Sequence, residues 1–161
     1  MYVNPRIWRT TLAVCLAVGT FAGLASARSA GGHIGRAAQP SQASCLSPWY
    51  GTLGNSCSSP SQIEIDLPLP VDSAGSKNVT VSLTTGPGNG TYCQAFGLDK
   101  DTTTVWSSIN VVAGYPPGST TTGTNRYDLA LTGAYVPSNG YLYTACQIWY
   151  QARISGVTWT S

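Results

Sequence analysis

GYLYTACQIWYQARISGVTWTS, residues 140–161, is the densest run of strand-forming and aromatic residues in the chain. Two adjacent strands are expected in it, because β-branched and aromatic side chains favour a pleated, half-buried surface. Side chains on a strand alternate between faces. If Cys146 points inward, Leu142, Thr144 and Ile148 share its face, while Tyr141, Tyr143 and Trp149 fall on the opposite one. The inner face then anchors a core, tied across it to Cys93, and the outer face displays aromatic rings.

Working outward from this stretch, alternation recurs upstream. Gln62–Leu67 places Ile63, Ile65 and Leu67 on one face, Lys77–Leu83 places Val79, Val81 and Leu83, and Tyr127, Leu129 and Leu131 give a further period-two set. Thr91–Phe96 and Thr103–Val112 read as two more strands, the second holding Trp106. Pro68 and Pro70 should end the first strand's hydrogen bonding. Turn residues punctuate the runs at Gly86–Gly90 and Leu98–Asp101, in a long polar loop over Gly114–Gly123, and at Gly133–Gly140. About eight short strands without helical periodicity predict an all-β, antiparallel β-sandwich of jelly-roll type. The faces of Trp49, Trp106 and Trp159 are not assigned by these patterns.

The 161 residues suffice for one domain. Residues 1–27 have a basic start with Arg6 and Arg9, an apolar run from Leu12 to Leu24, and Ala25-Ser26-Ala27, the three parts of a cleaved secretory signal. Residues 28–44 are rich in Gly, Ala, Ser and Gln and predict a flexible lead, and residues 45–161 form the single folded domain. Secreted or periplasmic localisation follows, with no membrane insertion once the signal is removed.

Loss of the signal removes Cys15 and leaves Cys45, Cys57, Cys93 and Cys146. Four cysteines in an exported chain read as two disulfides, for which sequence allows three pairings. Cys45–Cys57 and Cys93–Cys146 are favoured, since the first brackets one Gly/Asn/Ser-rich loop and the second joins two strands. Zinc does not fit: none of these cysteines forms a C-x-x-C pair, and the sole histidine, His33, lies in the lead.

Composition restricts function. Charged residues are 9% of the chain, against about 25% in an average soluble protein. From Cys45 onward there are four basic residues (Lys77, Lys100, Arg126, Arg153) against six acidic ones, a net charge of −2. So few basic groups neutralise few phosphates, which argues against nucleic acid as a partner. The absence of histidine after residue 33 excludes a Ser-His-Asp triad within the domain. No cofactor, metal site or catalytic residue is expected. Glu64 and Asp66 share a strand face opposite the isoleucines and are expected to point to solvent, and Asp99 and Asp101 belong to a polar turn.

LPLPVDSAGS at 67–76, the Tyr92-Cys93 strand and the closing GYLYTACQIWYQARISGVTW together resemble a group of small secreted bacterial β-sandwich proteins. Its members carry a Cys-Pro-Leu-Pro element and a final Tyr/Cys strand followed by a strand that opens on a basic residue and Ile, here Arg153-Ile154. The resemblance spans most of residues 45–161 and implies the sandwich fold; the group has no established activity. Leu67 stands where the group has its cysteine, so Cys57 takes that partner's place.

Two function classes remain. Aromatic rings in a setting poor in charge suit stacking against sugar rings, so the leading expectation is a non-enzymatic glycan-binding domain using Tyr141, Tyr143 and Trp149. The alternative is a structural or protein-interaction domain of the envelope or extracellular space. A glycoside hydrolase, which needs only two carboxyl groups across a cleft, ranks third.

Overall fold

A computed structural model of the chain describes residues 26–86, 90–113 and 125–161. Most of the expected signal (residues 1–25), the centre of the Gly86–Gly90 turn and the Gly114–Gly123 loop lie outside the described residues. Twelve strands occur among the described residues: β1 Ala27–Gly31, β2 Arg36–Ala37, β3 Leu46–Trp49, β4 Thr52–Asn55, β5 Gln62–Leu69, β6 Gly75–Thr84, β7 Thr91–Leu98, β8 Val105–Ser107, β9 Val111–Ala113, β10 Arg126–Val136, β11 Tyr141–Trp149 and β12 Arg153–Thr160. They form two antiparallel sheets of six. The first runs β10-β6-β12-β4-β3, with β1 also on β12; the second runs β2-β5-β11-β7-β8, with β9 also on β7.

The sheets face each other as a sandwich whose core is made by the alternating inward residues of both. Ile63, Ile65 and Leu67 of β5, Val79, Val81 and Leu83 of β6, Leu129 and Leu131 of β10, and Leu142, Cys146 and Ile148 of β11 are all buried. The period-two patterns thus select the core-facing residues. Both disulfides are present. Cys45 bonds Cys57 across a separation of 12 residues, and Cys93 bonds Cys146 across 53.

Five sequence expectations change. The C-terminal strands β11 and β12 are consecutive but unpaired, and they lie in opposite sheets. A turn from Trp149 to Ala152 carries the chain between sheets, with Gln151 at φ 66°, and buried Asn55 holds it. The Asn55 carbonyl accepts from Gln151 N at 2.8 Å, and its Nδ2 donates to the Ile148 carbonyl at 3.3 Å. The Cys93–Cys146 bond does not cross the core either. It joins residues that face each other in register on neighbouring strands β7 and β11, so it staples one sheet on its inner face.

The segment expected as a flexible lead contributes a strand to each sheet. β1 pairs with β12 from Ala27↔Thr160 to Gly31↔Gly156, and β2 pairs with β5 at Arg36↔Asp66 and Ala37↔Ile65. Strand edges offer unpaired backbone groups, and pairing needs no hydrophobic side chain, so a Gly/Ala/Ser-rich segment acquires order by completing two edges. The bond after Ala27, the expected cleavage point, therefore lies within β1, and Arg28 forms an ion pair with Asp72. His33 belongs to this ordered segment, its backbone N–H donating to the Gly51 carbonyl at 3.1 Å.

Twelve strands stand where about eight were expected and seven runs were named. The lead adds β1 and β2, the Cys45–Cys57 region adds the hairpin β3–β4, and Thr103–Val112 divides into β8 and β9. At that break the Ser108 hydroxyl accepts from Ala95 N at 2.9 Å. Finally, β5 continues through Pro68, which faces Tyr143. The short β2 covers only Asp66 and Ile65 on the other side, so at Pro68 that edge of β5 requires no N–H.

Candidate functional site: a groove on the outer face of the second sheet

Three strands build the site. β11 is central, with β5 and β7 on either side, and the outward residues line up in cross-strand rows. Gln147 stands between Glu64 and Tyr92, Ala145 between Asp66 and Gln94, and Tyr143 between Pro68 and Phe96. Ala145 is the small residue in the middle, so the surface is low at its centre and the flanking side chains rise around it. The result is an open groove of about 860 Å³, lined among others by Arg36, Glu64, Asp66, Phe96, Tyr141 and Tyr143. A smaller hollow of about 200 Å³ continues it toward Tyr92, Gln94, Asn110 and Gln147, sharing Glu64, Phe96 and Ala145.

The two ends differ chemically. At one end the rings of Tyr143 and Phe96 lie nearly parallel, with centroids 5.0 Å apart and planes 16° apart. Tyr141, 55% exposed, stands beyond them on the same face. At the other end amides and a phenol interlock. Gln62 Nε2 donates to the Tyr92 hydroxyl at 2.8 Å and to Gln147 Oε1 at 2.9 Å, and the Tyr92 hydroxyl donates to the same Gln147 oxygen. Gln94 Nε2 donates to the Ser108 carbonyl at 2.6 Å. This network already holds side chains whose rotamer freedom would otherwise be lost on ligand binding, so the polar end is preorganised.

Glu64 and Asp66 are half-buried along one wall rather than freely solvated on an outer face. The sequence places them on the correct face. It does not reveal that β2 and the segment after it rise beside that face, bringing Arg36 and Ala38 into the lining. Desolvation raises the Asp66 carboxyl above its ordinary range, with the Arg36 charge opposing. The Tyr143 phenol is also pushed up, chiefly by burial and then by the charges of Asp66 and Glu64.

Of the three ligand-binding residues expected from sequence, Tyr141 and Tyr143 line the groove. Trp149 shares their face but stands opposite Gln62, beyond the polar end, and is not part of the lining. Tyr143 is six residues from Trp149, about 20 Å along a strand, so the three rings do not form one platform. Phe96 is the ring that the sequence reading missed. Its signal was available: Cys93 fixes the inner face of β7, and Phe96 is three residues on, hence outward.

The tryptophans left unassigned by sequence also find places. Trp159 is buried, its indole N–H donating to the Pro70 carbonyl at 2.8 Å. The Trp106 ring meets Tyr135 edge-on at 5.7 Å. Trp49 is 60% exposed and Tyr50 88%, at the tip of the β3–β4 hairpin, with the Arg153 guanidinium 5.4 Å from the Trp49 ring centroid.

The acidic turn is self-satisfied. Asp99 Oδ1 accepts from Thr103 N at 2.8 Å and Oδ2 from the Thr103 hydroxyl at 2.7 Å, the largest cause of its lowered pKa. Among the described residues no three His, Cys, Asp or Glu side chains gather where a metal ion could be held, and no helix is long and apolar enough to cross a membrane.

The fold and the site define an antiparallel β-sandwich with an aromatic and acidic groove on one outer sheet face. No protein-family model matches the chain, and no curated protein matches it in sequence. Among solved structures, it is similar to the C-terminal CBM6 of LamC, a marine laminarinase from Zobellia galactanivorans, at 10% identity and a TM-score of 0.48, over 84% of this chain and 100% of that one. It is similar also to the carbohydrate-binding module CBM6cm-2 of Cellvibrio mixtus lichenase 5A in complex with cellotriose, at 10% identity and a TM-score of 0.43, over 83% of this chain and 96% of that one.

Proposed function

We propose that the protein is an exported, non-enzymatic glycan-binding domain whose site is the groove on β5, β11 and β7. The observation that carries this reading is the near-parallel Tyr143–Phe96 pair at one end of a groove whose other end offers amides and the Tyr92 phenol. A sugar presents an apolar ring face and a polar rim, and this arrangement complements both. An enzymatic reading is weaker. Glycosidases flank the scissile bond with two carboxyl groups, whereas Glu64 and Asp66 stand two residues apart on one strand, hence on one wall, and no other acid lines the groove.

A glycan array screened with the domain should show binding to a subset of oligosaccharides, and Tyr143→Ala should weaken that binding by about tenfold to a hundredfold, the effect of removing a central aromatic contact. Uniform silence of the array would favour the second reading, a protein-interaction domain. The exposed Trp49 and Tyr50 at the hairpin tip are the observation on its side.

A further inference from the structure

The Glu64 and Asp66 carboxylates have no protein partner in the groove. Among the described residues neither side chain accepts a hydrogen bond, and the ion pairs within 4 Å join other groups, Arg28 with Asp72 and Lys100 with Asp101. Arg36 acts on Asp66 only at longer range, as the smaller influence on its ionisation. Two carboxylates against one guanidinium leave the lining net negative. Half-buried anions without partners are costly, and folding alone does not account for two of them on the wall of a groove beside Tyr143.

An ammonium group answers each feature. It donates three hydrogen bonds, it forms charge-assisted bonds to carboxylates, and it is attracted to the face of an aromatic ring. A uronate or sulfated sugar would meet like charge. A neutral sugar would leave both carboxylates without a counter-charge.

Resting on the glycan-binding reading above, we infer that the groove selects glycans carrying free amines, that is, chains of unacetylated hexosamine, with Glu64 and Asp66 as the residues that set this specificity.

The test compares a glucosamine oligomer with its N-acetylated counterpart of equal length by titration calorimetry, at mildly acidic pH where the amines are charged. The free-amine oligomer should bind about tenfold tighter or better, the worth of one charge-assisted hydrogen bond, and added salt should erode the difference. In Glu64→Gln/Asp66→Asn the two oligomers should bind about equally, while Tyr143→Ala should weaken both. An unchanged circular dichroism spectrum and melting curve shows that the variants remain folded. Equal binding of both oligomers to the native protein, or a preference that survives the double substitution, overturns the inference and leaves the glycan reading standing. Failure of both oligomers and of every neutral glycan to bind overturns the two together.

Discussion

Cys93→Ala/Cys146→Ala unfolds with about 4 kcal/mol less free energy than the native chain, the cost on the loop-entropy model of releasing a bridge of this span. The sequence separation is 53 residues, and both sulfurs are buried on the inner face of the sheet that carries the groove. Most single domains have only about 5–15 kcal/mol in total, so the variant should be depleted of folded protein under mild heating. Urea titration of the native and variant proteins measures this directly. The bridge between Cys45 and Cys57 spans only 12 residues, and its removal should cost nearer 3 kcal/mol. Equal midpoints for the native protein and the Cys93/Cys146 variant would contradict the staple described here.

The second large effect is on the same strand. Ile148→Ala should destabilise the domain by about 2–5 kcal/mol, because it empties a buried site between well-packed sheets. Ile148 is wholly buried and alternates with Gln147 and Trp149, which face outward. Ligand affinity measured on the remaining folded protein should be unchanged, since Ile148 points away from the groove. Tyr143→Ala should do the opposite, weakening binding while leaving the urea midpoint nearly in place. On the proposed reading one strand carries stability on one face and recognition on the other, and denaturation with calorimetry on the two variants separates them.

The buried and outward faces of β11 were legible in the sequence for a physical reason. Period-two alternation is obligatory in a strand, and a cysteine expected to pair inward fixes which set faces the core. The same logic places Ile63, Ile65 and Leu67 inside and Glu64 and Asp66 outside. What alternation cannot show is which strands become neighbours. The turn from Trp149 to Ala152 has no glycine or proline to mark it, and nothing local distinguishes a hairpin from a step between sheets. Its conformation depends on Asn55, which lies about a hundred residues earlier in the chain, and no pattern within residues 140–161 contains that contact.

The groove was half legible for a similar reason. Its floor follows from alternation on β11 and β7, and Tyr141 and Tyr143 were identified that way. One of its walls comes from Arg36 and Ala38, in a segment whose composition suggests disorder. Edge pairing of β2 with β5 overrides composition there, because backbone hydrogen bonds at a sheet edge are indifferent to side-chain polarity. Trp149 shares the outward face of β11 but lies outside the groove lining. A face nine residues long extends about 30 Å, further than the groove.

The central claim is that ligand binds on the outer face of β5, β11 and β7. It is tested most directly by heteronuclear NMR titration with an oligosaccharide that the array identifies. The account predicts amide shifts concentrated at Glu64, Asp66, residues 92–96 and residues 141–147, with the Trp49–Thr52 hairpin tip unmoved. Shifts centred on Trp49 and Tyr50, with the outer sheet face silent, would contradict it.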